Sequence, residues 1–155
     1  MERTAFPEQG TLVDELPAQQ QVDQPFEGLT KHKHINLTTF RRNRDAVTTP
    51  VWFVRDADRL YVTTALESGK VKRIRNNPEV RVVPSTATGK PLGAEVSAFA
   101  RILPNTEEER AALLLREKYS WALRVFEWMS RLRGEEHVYL EIVPAEVDES
   151  LGSLP

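Results

Sequence analysis

The chain has no cysteine among its 155 residues. Disulfides, thiolate nucleophiles and cysteine-based zinc sites are therefore excluded at the outset. Histidine is scarce as well, with three in all. His32 and His34 fall on one side of a short alternating stretch, but His137 is distant in sequence and no acidic residue stands beside the pair, so no metal site is expected. There is no apolar run of the ~18–20 residues that a membrane helix needs. The N-terminus lacks the basic start and apolar core of an export signal, and a cytoplasmic location is the simplest expectation. A net charge of −2 gives no global attraction to nucleic acid or anionic lipid. The remainder is ordinary for a soluble globular chain: 40% hydrophobic and 28% charged residues, in a length that suits one domain with a real core.

Against that background, residues 60–78 stand out. Leu60 to Thr64 alternate apolar and semi-polar residues, the period of a half-buried strand. Ser68 is placed to cap a short helix that opens with Gly69 and Lys70. Val71 and Ile74 lie three apart on one face of that helix, and Asn77-Pro78 ends it. Lys70, Lys72, Arg73 and Arg75 crowd into its two turns. Cations near a helix N-terminus oppose the helix dipole, at roughly 0.3–1 kcal/mol each when exposed. A bound anion reverses the sign, because free backbone N–H groups and Lys70 would converge on it. Two readings follow from the spacing: a phosphate cradle fed by the hydroxyls of Thr63, Thr64 and Ser68, or a solvated basic helix with a good cap. A nucleic-acid module fits less well, since the basic run lacks interleaved aromatics and the net charge has the wrong sign.

The rest of the chain follows simple patterns. Residues 1–25 hold Pro7, Pro17, Pro25, a glutamine run and more acids than bases, and are expected to form a flexible arm. In residues 32–40, Ile35, Leu37 and Thr39 share one face of a strand. After a turn at Arg41–Asp45, Val47, Thr49, Val51 and Phe53 share one face of a second strand, and residues 60–64 form the third strand of a meander. Pro50 makes the second strand an edge or bulged strand there, which opens a sheet to a ligand. Trp52 is either a stacking surface for an aromatic ligand or a core or interface tryptophan. Strands around Val80–Val83, Val96–Ile102 and Val138–Ile142 complete a set of about six. Thr106 with Glu109 reads as a capping box for a helix that bends near Tyr119-Ser120 and ends at Gly134. Its second half carries Trp121, Val125, Trp128 and Leu132 at helical spacing, a core or subunit-interface face. The expected fold is mainly β with helices (α+β), a six-stranded antiparallel barrel with helices outside it.

Thr48-Thr49-Pro50-Val51-Trp52-Phe53, the strand Leu60–Thr64 and the run Ser68-Gly69-Lys70, Ile74, Asn77-Pro78-Glu79-Val80 together resemble the pyridoxamine 5′-phosphate oxidase-like split-barrel superfamily. The likeness covers roughly residues 28–145 and is nearest to the small deazaflavin-dependent branch that uses coenzyme F420. The resemblance implies a homodimeric split barrel over residues 26–147, a C-terminal tail at 148–155, and a cofactor, coenzyme F420 or FMN, in a groove between subunits. It implies that Lys70 meets the cofactor phosphate with Ser68 beside it, and that Thr48, Thr49, Pro50, Val51 and Trp52 form the strand under the ring. Thr63 and Thr64 would line the track from ring to phosphate, with Lys72 and Arg73 near it. Tyr61, Trp52 and Trp121 are candidate walls of a substrate pocket. The implied activity is hydride transfer between bound cofactor and a small organic substrate. An oxidase-like flavoprotein and a non-catalytic cofactor carrier or sensor are the alternatives. Relatives often have arginine at or beside Ser68–Gly69, where this chain has none.

Overall fold

Strand β1 (His34–Phe40) sets the inward face of the sheet, because Ile35, Leu37 and Thr39 all point into the interior and none is more than 1% exposed. The structure is a computed structural model and describes residues 25–145; the expected arm and the C-terminal tail lie outside the described residues. After β1 the chain reverses at Arg41–Asp45. There the Arg41 N–H donates to the Asp45 carbonyl (2.9 Å) and the Asp45 N–H donates to Asn43 Oδ1 (3.0 Å). Strand β2 (Ala46–Trp52) returns antiparallel, with Pro50 opposite Asn36 and Thr48 opposite Thr38. Its other side pairs with no described strand. Pro50 thus sits on an edge, where a missing N–H is tolerated.

The remaining elements are β3 (Val54–Asp56), β4 (Arg59–Ala65), helix α1 (Gly69–Asn76), β5 (Glu79–Ser85), β6 (Val96–Ile102), helix α2 (Glu109–Leu132) and β7 (His137–Pro144). All pairings are antiparallel and the sheet order is β2-β1-β5-β6-β7-β4-β3. The first and last strands of that order, β2 and β3, are joined in the chain by Phe53 alone. The sheet therefore curls until its two edges meet at one residue, which makes it a split barrel.

Two expectations are corrected here. Seven strands are described rather than six, and the second and third strands do not form a meander. The physical reason is Tyr119. The Phe53 N–H donates to the Tyr119 hydroxyl (2.9 Å), and that hydroxyl also lies against the carbonyls of Phe53 and of Lys33 (2.8 Å for Lys33). Both ladder groups of Phe53 are taken by a side chain, so the strand is cut there and β2 and β4 approach without pairing.

The apolar interior falls into two layers. Ile35, Leu37, Leu60, Val62, Leu140 and Ile142 fill the barrel, and Val71 and Ile74 of α1 close one end of it. Outside the sheet, Val54, Tyr61, Leu103, Leu115, Tyr119 and Leu123 pack beneath α2. One carboxylate is buried between strands: Glu141 accepts from Arg59 Nη1 and Arg101 Nε, both at 2.8 Å. Arg101 also reaches Glu107 (2.9 Å), and this explains a third correction. The capping box at Thr106 and Glu109 does not form. Asn105–Glu107 makes a 3-10 turn, Glu108 takes the N-cap position of α2, and no side chain caps it. Further along, α2 breaks as expected at Ser120 (φ 55°, ψ −131°), and Gly134 (φ 73°) ends it. No described helix is long and apolar enough to cross a membrane.

The joint beneath α2 carries a pH dependence. Lys118 Nζ donates to the His32 carbonyl (2.8 Å) and sits 3.9 Å from the centre of the Phe53 ring. Burial lowers its pKa from 10.5 to about 8. Between those two values the unfolded chain holds a proton that the folded chain has shed, so stability rises with pH across that window. Tyr119 works the other way: burial raises its pKa above 10.0, despite the hydrogen bond with Phe53, so the unfolded tyrosine ionises first and stability falls at higher pH. Urea unfolding at stepped pH should show stability rising from about pH 8 to a maximum near pH 10 and falling beyond it. Lys118→Met should flatten its acid side, and parallel curves for variant and parent would contradict this account.

Candidate functional site

The cation cluster is built at the N-terminus of α1. Ser68 has extended backbone (φ −67°, ψ 154°), so its side chain turns back over the first turn and Oγ accepts from the Val71 N–H (3.4 Å). Thr64, the inward-facing end of β4, donates to the same Oγ (3.5 Å). Burial of Val71 and Ile74 fixes the rotation of the helix, and this leaves Lys70 half-buried and Lys72 and Arg75 exposed. Arg73 folds back along the helix. Its Nε donates to Thr39 Oγ1 on β1 (2.7 Å), and its guanidinium lies over Gly69 so closely that a Cβ there would be 2.7 Å from Nη1.

Among the described residues, charge in this cluster is uncompensated: none of Lys70, Lys72, Arg73 and Arg75 has a carboxylate partner. Burial, and then the neighbouring Arg73, lower the pKa of Lys70. Burial, and then Arg41, lower that of Arg73. Both shifts have the sign of a site that holds cations without their counter-ion, and an anion placed there would reverse them.

The edge strand β2 lies alongside. Thr48 is exposed and its hydroxyl is 2.7 Å from that of Thr38, while Thr49 and Val51 turn inward and are half-buried. Pro50 is exposed. Trp52 is stacked flat on Tyr119, with centroids 4.9 Å apart and planes 9° from parallel, so one of its faces is already covered.

The structure brings Thr64, Ser68 and Lys70 together and leaves other expected residues elsewhere. Thr63 points to the opposite face of β4, where its hydroxyl donates to the Val138 carbonyl (3.3 Å) and it lines a cleft with His137 and Tyr139 beneath α2. Lys72 is on the solvent side of α1. Tyr61 is buried under α2, and Trp121 is exposed on the outer surface of α2. Thr39 was missed. The available signal was a hydroxyl at an inward position in line with Ile35 and Leu37, where an apolar residue is the default.

The sequence profile of the pyridoxamine 5′-phosphate oxidase family matches residues 22–150. The chain belongs to that family. No curated protein matches it. Its structure is similar to three solved ones of the same fold. One is a FAD-binding protein from Mesorhizobium loti (19% identity, 75% of this chain and 82% of that one, TM-score 0.53). One is an F420 reductase (19% identity, 76% and 91%, TM-score 0.52). The third is a haem storage protein from Vibrio cholerae (15% identity, 73% and 82%, TM-score 0.54). At such identities the likeness carries the fold. Within this oxidase family fold, the residues gathered around Lys70 have the chemistry of an anion site, and β2 offers an unpaired edge beside it.

Proposed function

We propose that the chain is an oxidoreductase that binds a phosphorylated flavin or deazaflavin, with coenzyme F420 the favoured cofactor and FMN the alternative. One observation carries this reading: Lys70 and Arg73, half-buried and without carboxylates among the described residues, gather around Ser68 and Gly69 at the N-terminus of α1. An isolated structural helix gains nothing from holding half-buried cationic groups over its positive end. A phosphate there removes the conflict, and it would meet the first-turn N–H groups that have no intrahelical partner.

In this arrangement Lys70 and Arg73 neutralise the phosphate, Ser68 turns its hydroxyl toward it while Thr64 holds the Ser68 oxygen, and the bare Cα of Gly69 lets the Arg73 guanidinium lie across the helix. The free edge of β2 over Thr48–Val51 presents backbone N–H and C=O groups to the polar rim of a planar ring. A bound flavin or deazaflavin supplies hydride transfer at its ring; the protein supplies binding, orientation and electrostatics. The open edge is a surface that a second copy of the chain would complete, and a homodimer is part of the proposal. The F420 reductase of the same fold favours the deazaflavin, and the haem storage protein of that fold is why turnover needs its own test.

The test is a pair of fluorescence titrations of the apo-protein, with FMN and with coenzyme F420. Tighter binding of F420 supports the reading. Preference for FMN moves the chain to the oxidase-like flavoproteins, and binding of neither removes the Lys70 site. Oxidation of the bound, reduced cofactor by added electron-poor acceptors separates an enzyme from a carrier.

A further inference from the structure

Beyond the Ser120 break, α2 exposes an apolar seam with no use in the proposed chemistry. Trp121, Val125, Trp128 and Leu132 are 72%, 43%, 56% and 68% exposed, and Phe126 and Met129 broaden the strip. The helix does pack on the barrel, through Leu123 and Ser130 on its other side, each 1% exposed. The seam is thus a second, outward face. Its spacing of four, three and four residues is that of a helix seam meant to be covered, and contiguous apolar surface of this kind marks an interaction site.

The charges beside the seam select its occupant. Arg124 and Arg131 flank it, both are exposed, and neither has a carboxylate partner among the described residues. Packing the same helix of a second copy across a twofold axis would set these arginines against their own counterparts. An acidic, apolar strand of chain has the opposite effect. Residues 1–24 contain five acidic side chains against Arg3, and Leu12-Val13-Asp14-Glu15-Leu16 interleaves apolar and acidic groups.

Reach points the same way. Pro25 and Pro144 line one cleft, so the N-terminal segment joins the fold beside the end of β7, while the start of β7 lies under α2, where the His137 ring is 5.4 Å from Phe126. The length of β7 is roughly 23 Å at about 3.3 Å per residue. Residues 17–24 span that distance when extended, at about 3.3 Å each, and deliver Leu16 to the seam.

We propose that the acidic, apolar segment Leu12–Leu16 docks on the outer face of α2, with Leu12, Val13 and Leu16 over the Trp121–Leu132 seam and Asp14 and Glu15 at Arg124 and Arg131. A cleft of about 450 Å3 lined by Leu113, Arg116, Glu117, Ser120, Trp121 and Arg124 receives one of the leucines.

The absence of cysteine makes the test clean, since introduced thiols have no competitor. In the full chain, Val13→Cys with Val125→Cys should form a disulfide under mild oxidation, within one chain or between two. The yield should exceed that of Val13→Cys with Leu92→Cys, an exposed control site on another surface, by roughly tenfold, as expected for a docked rather than merely tethered segment. Asp14→Arg with Glu15→Arg should lower the yield, and adding Arg124→Glu with Arg131→Glu should restore it. Equal yields at Val125 and Leu92 would overturn the proposal. So would a disulfide dimer of the Val125→Cys single variant that outcompetes the Val13 link, because the face would then belong to a second α2. Preferential linkage of Leu151→Cys to Val125→Cys would give it to the C-terminal tail.

Discussion

Replacing Lys70 by alanine should weaken binding of the phosphorylated cofactor by roughly 10- to 100-fold, with the fold unharmed. The size follows from a charge-assisted contact, worth about 1.5–3 kcal/mol, at about 1.4 kcal/mol per tenfold. The fold should survive because the ammonium has no carboxylate partner among the described residues and is repelled by Arg73, so its removal relieves a like-charge contact. Lys70→Arg should keep most of the affinity and change its pH profile. In the parent, affinity falls as pH rises through the lowered pKa of Lys70, below the usual lysine range, whereas a guanidinium stays charged there. Lys72→Ala, two residues on and exposed, should have a much smaller effect. Fluorescence titration of the three variants, with a thermal melt of each, checks all of this. An unchanged affinity in Lys70→Ala would remove the residue from the site.

The parts of this site that were legible in the sequence are those governed by neighbours in the chain. Ser68 as cap, Val71 and Ile74 as the buried face and Asn77-Pro78 as the stop are all short-range rules, and each held. Pro50 located the edge strand for an equally local reason. The errors came from two sources. Period-two alternation already separates Thr63 from Thr64, since Leu60, Val62 and Thr64 face the barrel and Tyr61 and Thr63 face α2; assigning both threonines to one track ignored it. The other errors were tertiary. A capping pattern at Thr106 lost to a 3-10 turn and the pull of Arg101 on Glu107. The cut at Phe53 is imposed by Tyr119, 66 residues away, and no window around Phe53 contains that information.

The cut at Phe53 gives the largest stability effect expected of any single substitution in this chain. The Phe53 side chain is fully buried and joins the two edges of the curled sheet, with core residues on one side and the Lys118 ammonium over its ring. Phe53→Ala removes the ring but keeps the backbone clamp, and should cost about 3–5 kcal/mol, the range for a buried phenylalanine whose site cannot collapse. Tyr119→Phe does the reverse. It keeps the stack on Trp52 and strips the hydroxyl from the Phe53 N–H and from the carbonyls of Phe53 and Lys33, at about 1–3 kcal/mol for a buried group left unpaired. The two losses act on different parts of one joint, so their combination should fall short of the sum, as it does for residues in contact. Tyr119→Phe has a second readout, because the clamp fixes the end of β2. If β2 is the strand under the cofactor ring, cofactor affinity should fall even at temperatures where the variant is fully folded. Urea unfolding of both variants and the double variant, followed by cofactor titration of Tyr119→Phe, measures each term. A Phe53→Ala loss under about 1 kcal/mol would mean that the barrel is not held shut at this residue.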